Sequence, residues 1–111
     1  MKMLKSYNIK MHKITFEGGF AIIEAYTCPC CGYKTLDEQS SWDICPICFW
    51  EDDPLQSEEV DLDGGANTVS LRQAQKNFIK FGACEKSMIK NVRKPEIYDV
   101  KDDNWKPLCE E

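Results

Sequence analysis

The chain has 111 residues, which favours one domain with a modest core that a bound metal would reinforce. Hydrophobic residues make up 42% and charged residues 30%, a globular balance, and no apolar run approaches the ~20 residues that span a bilayer. The formal net charge of −5 and the sequence pI near 4.9 argue against a nucleic-acid binder and leave protein partners as the expected class.

Taken in chain order, residues 14–17 and 20–26 read as two strands joined by Gly18-Gly19, a two-residue turn signal between apolar, β-branched segments. The second strand leads straight into Cys28. Residues 28–50 carry the cysteine cluster. Residues 51–69 read as a loop that contains Glu51, Asp52, Asp53, Glu58, Glu59, Asp61 and Asp63 and no base. Asp61-Leu62-Asp63-Gly64 matches part of a calcium loop, but the further ligands and the closing Glu are missing. Residues 70–82 give the clearest helix. Ser70 and Gln73 suit a capping box, Leu71, Ala74, Phe78 and Phe81 share one face, and Gly82 is placed to end it. Arg72, Lys76 and Lys80 form a basic ridge on the other side. A second short helix is predicted from Cys84 to about Lys94, stopped by Pro95. Trp105 and Leu108 are the predicted anchors of an otherwise polar tail.

The opening Met1-Lys2-Met3-Leu4-Lys5 leads into no apolar segment of the signal-peptide kind, so a cytoplasmic location is expected. In that reducing compartment, seven cysteines, an odd number, call for something other than disulfides. Cys28-Pro29-Cys30-Cys31-Gly32 contains C-P-x-C-G, and Cys45-Pro46-Ile47-Cys48 contains C-P-x-C. Two thiolates three positions apart on a tight turn can point at one ion, at about 2.3 Å for zinc. Proline presets each bend, and Gly32 can take a positive φ. Two such knuckles facing each other complete a tetrahedron of Cys28, Cys31, Cys45 and Cys48, with Tyr33, Leu36 and Trp42 to cover it. A rubredoxin-type iron centre uses the same geometry and stays open as the alternative to one zinc per chain.

Cys30 occupies the variable position of its knuckle, so its side chain is expected to point away from the ion. Cys84 reads as a small buried apolar residue, Cys109 as a free surface thiol, and His12 as non-functional. A closed four-thiolate site leaves no position for water or substrate. No hydroxyl has an evident general base, and neither a P-loop nor a dinucleotide fingerprint is present. The chain is therefore read as a non-enzyme.

The run Cys28-Pro29-Cys30-Cys31-Gly32-Tyr33-Lys34-Thr35-Leu36 resembles the signature of the CPCC family of bacterial cysteine-rich proteins. The stretch from Asp43 to Asp53, Gly64-Gly65-Ala66-Asn67 with Ser70-Leu71, and Phe81-Gly82-Ala83-Cys84-Glu85 resemble it as well. The resemblance covers about residues 26–95 and implies a bacterial, cytoplasmic, metal-binding protein.

The expected fold is a small α+β domain: a zinc ribbon of two facing knuckles with short β-hairpins, packed against one or two C-terminal helices. It is read as one domain over 1–111, with an extension at 1–25, a core at 26–95 and a tail at 96–111. The expected function is that of a protein–protein interaction module, of the kind that serves as an immunity inhibitor of a basic bacterial toxin. Glu51, Asp52, Asp53, Glu58 and Glu59 are its candidate partner-binding residues. Nucleic-acid binding through the seven bases between Arg72 and Lys94 is the second reading, and electron transfer at an iron site the third.

Overall fold

The structure is a computed structural model, and it describes residues 13–17 and 20–108, with the side chains taken up from residue 25 onward. Strand β1 (Lys13–Glu17) pairs antiparallel with β2 (Phe20–Glu24), setting Lys13 opposite Glu24 and Glu17 opposite Phe20. The predicted hairpin is present as strands, and its Gly18-Gly19 turn lies outside the described residues. The second predicted strand is interrupted at Ala25 and resumes as β3 (Tyr26–Thr27), which pairs with β4 (Lys34–Leu36) through an irregular register. The tip of that second hairpin is the first cysteine turn.

The acidic segment is not a plain loop. It contains a five-residue helix, α1 (Pro54–Glu58). Asp53 caps it, with Oδ1 accepting from the Leu55 and Gln56 N–H groups at 2.8 and 3.4 Å, and Pro54 takes a first-turn position that needs no donor. Five residues are too few for a helical period to show, which is why the pattern escapes a search for periodicity.

Helix α2 (Leu71–Phe81) is bounded as predicted. Ser70 Oγ accepts from Gln73 N–H at 3.1 Å, and Gly82 adopts a left-handed φ of 85° while its N–H donates to the Phe78 carbonyl. Half of the capping box is missing: the Gln73 amide turns forward to Asn77 Oδ1, at 2.9 Å. Leu71 and Ala74 are buried, and Phe78 packs against the core from its edge.

The second predicted helix is shorter and tighter than expected, a 3-10 helix over Lys86–Asn91. Glu85 before it is extended and offers no side-chain cap, so the first turn lacks the support that Ser70 gives α2.

The core is built around sulfur. Six of its eleven buried members are cysteines, joined by Leu36, Ile47, Trp50, Leu71 and Ala74. The core and the cysteine cluster are thus one object. The architecture is a small compact α+β fold with antiparallel hairpins, short helices and four clustered cysteines.

The tail closes the free edge of β4. Lys34 N–H donates to the Val100 carbonyl and Asp102 N–H to the Gly32 carbonyl, while Tyr33 and Lys101 form an antiparallel bridge. Thr27 Oγ1 donates to Asp102 Oδ2 at 2.5 Å, and Leu108 N–H donates to Gln75 Oε1 at 2.8 Å. Trp105 and Leu108 anchor the segment as predicted.

Candidate metal centre

Each C-P-x-C segment folds into the same turn. In the first, Cys28 N–H donates to the Tyr33 carbonyl and Gly32 N–H returns to the Cys28 carbonyl, both at 2.9 Å. In the second, Cys45 N–H donates to the Trp50 carbonyl at 3.0 Å and Phe49 N–H to the Cys45 carbonyl at 2.7 Å. The residue after the second cysteine has a positive φ in both: 83° at Gly32 and 69° at Phe49. Glycine adopts that conformation freely, whereas phenylalanine is strained in it, so the second turn holds Phe49 there through its core packing. The strands around the turns differ. A hairpin carries the first, and a single antiparallel bridge between Ile44 and Glu51 flanks the second.

The turns face each other and bring Cys28, Cys31, Cys45 and Cys48 together. All four are buried, and their Sγ atoms lie within 4.8 Å of one another. Cys28 and Cys48 are 3.5 Å apart, and Cys31 and Cys45 3.7 Å apart. A tetrahedron with metal–sulfur bonds of about 2.3 Å has edges of about 3.8 Å, so the donor set fits one soft divalent cation. Four thiolates in a dry interior need such a charge to compensate them. Burial pushes the Cys28 and Cys48 thiols well above the usual thiol range. Burial also pushes Cys45 upward, yet contacts from Cys28, Cys31, Cys48 and Thr35 outweigh it and hold Cys45 well below that range. The Thr35 hydroxyl donates to Cys45 Sγ at 3.0 Å.

What covers the site differs from expectation. Leu36 is fully buried and Tyr33 packs at the edge, but Trp42 is 52% exposed with a positive φ of 62°. Trp50 fills the interior in its place. The two tryptophans lie on either side of the second turn, and sequence alone does not tell which one turns inward. Above the first turn, the Pro29 carbonyl accepts both from Gln75 Nε2 at 2.8 Å and from the Trp105 indole N–H at 2.9 Å.

Cys30 is outside the converging four, as its position in the turn predicts. It does not face solvent, however: it is 1% exposed, and burial pushes its thiol above the usual range. Cys84 is buried with its thiol pushed up to about 12, chiefly by burial, and its N–H donates to the Cys48 carbonyl at 2.7 Å. His12 and Cys109 lie outside the described residues.

The five candidate partner-binding residues divide into two groups. Asp52 is buried, with Oδ2 accepting from Ser40 N–H at 2.7 Å and Oδ1 from the Ser57 hydroxyl at 3.2 Å. Asp53 caps α1 with one oxygen and accepts from Ala66 N–H with the other, at 3.0 Å. Glu51 is half-buried, and both its N–H and its carbonyl are bound by the Asn67 side chain, at 2.9 and 2.8 Å. Glu58 and Glu59 are exposed. The adjoining Asp61 is paired with Arg72 at 2.7 Å, an arrangement unlike a calcium loop.

A residue that sequence reading missed holds this segment in place. Gln56 is fully buried, and its Nε2 approaches the carbonyls of Leu62, Asn67 and Val69 at 2.9, 3.1 and 3.2 Å. Its Oε1 accepts from the backbone and side-chain amides of Asn67, at 3.0 and 2.9 Å. The signal available was the polar Gln56 one turn beyond an Asp-Pro helix start.

The family profile described as "Cysteine-rich CPCC" matches residues 26–99, which contain both turns, α1, α2 and the 3-10 helix. The chain belongs to that cysteine-rich family. A comparison with curated proteins found no significant match.

Proposed function

We propose that this protein is a non-enzymatic zinc-binding module whose zinc ribbon fixes the shape of an acidic surface that recognises a basic protein. The observation that carries the reading is the closed donor set: four buried sulfurs leave no coordination position for water or substrate. When bound, zinc supplies charge compensation and a crosslink between the two turns. The protein's own groups do the rest. The turns orient the sulfurs, the Thr35 hydroxyl tempers the Cys45 charge, and the core excludes water.

The recognition surface is what α1 and the following turn leave exposed: Leu55, Glu58, Glu59, Leu62 and Asp63. Two apolar side chains among three acidic ones suit a basic partner with an apolar centre, and the charge would speed the encounter. A basic secreted toxin is one partner of that chemistry, and in that setting the protein acts as an immunity inhibitor in the cytoplasm. Ion pairing supports this over nucleic-acid binding. Arg72 is bound to Asp61, and Arg93 to Asp99 at 2.7 and 2.9 Å, so two of the seven bases already have acidic partners.

The test is affinity capture of partners from the native host with the full chain, beside a Glu58→Gln/Glu59→Gln variant. A basic protein retained by the parent and lost by the variant supports the reading. Retention of nucleic acid alone by both would overturn it. The purified protein is expected to be colourless, and a visible iron–thiolate spectrum would assign the site to iron and to electron transfer.

A further inference from the structure

The molecule carries a second exposed apolar surface, and its charge is opposite to that of the first. On α2, Ile79 is 69% exposed beside the exposed Lys80. On the 3-10 helix, Lys86 and Ile89 stand three residues apart, a spacing that this geometry places on one face, and Lys90 follows; all three are exposed. The two elements are in contact, and Asn77 Nδ2 ties them by donating to the Cys84 carbonyl at 2.9 Å. Phe78 and Met88 are the residues that pack against the core, which leaves Ile79 and Ile89 outside it. A solvated helix face gains nothing from two isoleucines, whereas apolar side chains rimmed by charge mark a contact surface.

The acidic surface of α1 is its counterpart. Leu55 is 56% exposed, Leu62 is exposed as well, and Glu58 and Glu59 stand three and four residues beyond Leu55. Each surface thus sets two apolar residues among charges of one sign. The fold keeps the two surfaces apart within one molecule. Arg72, at the start of α2, pairs with Asp61, and Lys80 sits at the other end of a helix about 16 Å long. Among the described residues, Glu58, Glu59, Lys80, Lys86 and Lys90 form no ion pair.

Extending the recognition reading above, we propose that the basic surface of α2 and the 3-10 helix docks onto the acidic surface of α1 in a second copy of this chain. Charge complementarity selects the occupant, because both halves of the contact are on one sequence and like surfaces of two copies repel. Two copies related by a two-fold axis make the contact twice, and a closed dimer results. The isoleucines then meet the leucines, and the lysines meet the glutamates. A basic protein that binds α1 more tightly would displace the copy.

The test is sedimentation velocity of the full chain with excess zinc, over a concentration series at low and high salt. A concentration-dependent dimer is expected at low salt, and raising the ionic strength from about 0.05 to about 0.5 M should weaken it about tenfold, because exposed charges are screened. Glu58→Lys/Glu59→Lys and Lys86→Glu/Lys90→Glu should each be monomeric alone, since each meets only like charge in a second copy of itself. An equal mixture of the two should restore the dimer. A parent that is monomeric at low salt, or a dimer that neither variant weakens, overturns the proposal, and the salt series on the parent decides even if a variant fails to fold. Binding of anionic phospholipid vesicles or of an oligonucleotide by a monomeric parent would assign the basic surface to one of those instead. Only this chain is present in the measurement, so a monomer leaves the reading of α1 as a surface for a basic toxin standing.

Discussion

Trp105 lies against Gly32 so closely that a β-carbon at Gly32 would stand 2.5 Å from Trp105 Cε3 and 2.6 Å from Cδ2. The same indole donates to the Pro29 carbonyl in the turn below, and Lys101 Nζ sits 5.1 Å from its ring and 4.8 Å from that of Tyr33. A residue of the tail thus closes over the residue that lets the first cysteine turn form. Gly32→Ala meets two penalties, a β-carbon at φ 83° and a collision with a ring that cannot yield without losing its hydrogen bond. The expected loss is about 2–4 kcal/mol, from backbone strain with overpacking. Chemical denaturation of the metal-loaded protein measures it.

Trp105→Ala tests the lid from the other side. Its ring is half-buried, so the cost is expected near 2 kcal/mol, below the range for a fully buried aromatic. The four ligands remain, so metal stoichiometry should stay the same while a chelator strips the metal faster. Unchanged stripping kinetics would show that the tail is not what covers the centre.

Removal of the metal should unfold the molecule rather than leave an empty cage. Because the sulfurs and the apolar core are one cluster, no second core remains among the described residues to hold the fold. Metal binding supplies roughly 10–16 kcal/mol in small zinc modules, so Cys28→Ser, Cys31→Ser and Cys45→Ser should each lose cooperative melting. Cooperative melting retained in chelator would contradict this.

The site was legible in the sequence because C-P-x-C fixes local geometry. The spacing dictates the turn, the turn dictates where the sulfurs point, and Gly32 marks the positive φ. Helix α2 was legible for a similar reason, since Ser70, Gly82 and the apolar period act within a few residues. The rest depends on distant contacts. Trp50 rather than Trp42 turns inward because of the packing at the second turn, and Phe49 takes the glycine conformation because that packing holds it. The acidic segment misled because charge suggests solvation, whereas Asp52 and Asp53 serve as acceptors for Ser40, Leu55, Gln56 and Ala66.

Gln56 should be the most sensitive polar position outside the centre. Gln56→Ala leaves the carbonyls of Leu62, Asn67 and Val69 and the Asn67 amide short of partners. A cost of about 2–4 kcal/mol is expected, since an abandoned buried group costs about 1–3 kcal/mol. Hydrogen exchange should speed up selectively across residues 59–69. Uniform exchange changes over the whole chain would instead point to a global effect.

The last prediction separates recognition from folding within the acidic segment. Neutralising Glu58 and Glu59 should leave melting and metal content intact, because both are exposed and no helix or turn depends on their carboxylates. The same change should slow association with a basic partner and flatten its salt dependence, since steering acts mainly on the on-rate. Asp53→Asn should behave in the opposite way. The Asp53 carboxyl is held below its ordinary value, first by the Ala66 N–H and then, against some desolvation, by those of Leu55 and Gln56. A depressed value in the folded state stabilises the fold above the unfolded value, about pH 4, and the gain is lost as pH falls through the folded one. With excess zinc present, the parent should therefore exceed Asp53→Asn in stability at neutral pH, and the gap should close on acidification. Stronger nucleic-acid binding by Glu58→Gln/Glu59→Gln, with no change toward any basic protein, would turn the assignment to the bases of α2 and the 3-10 helix.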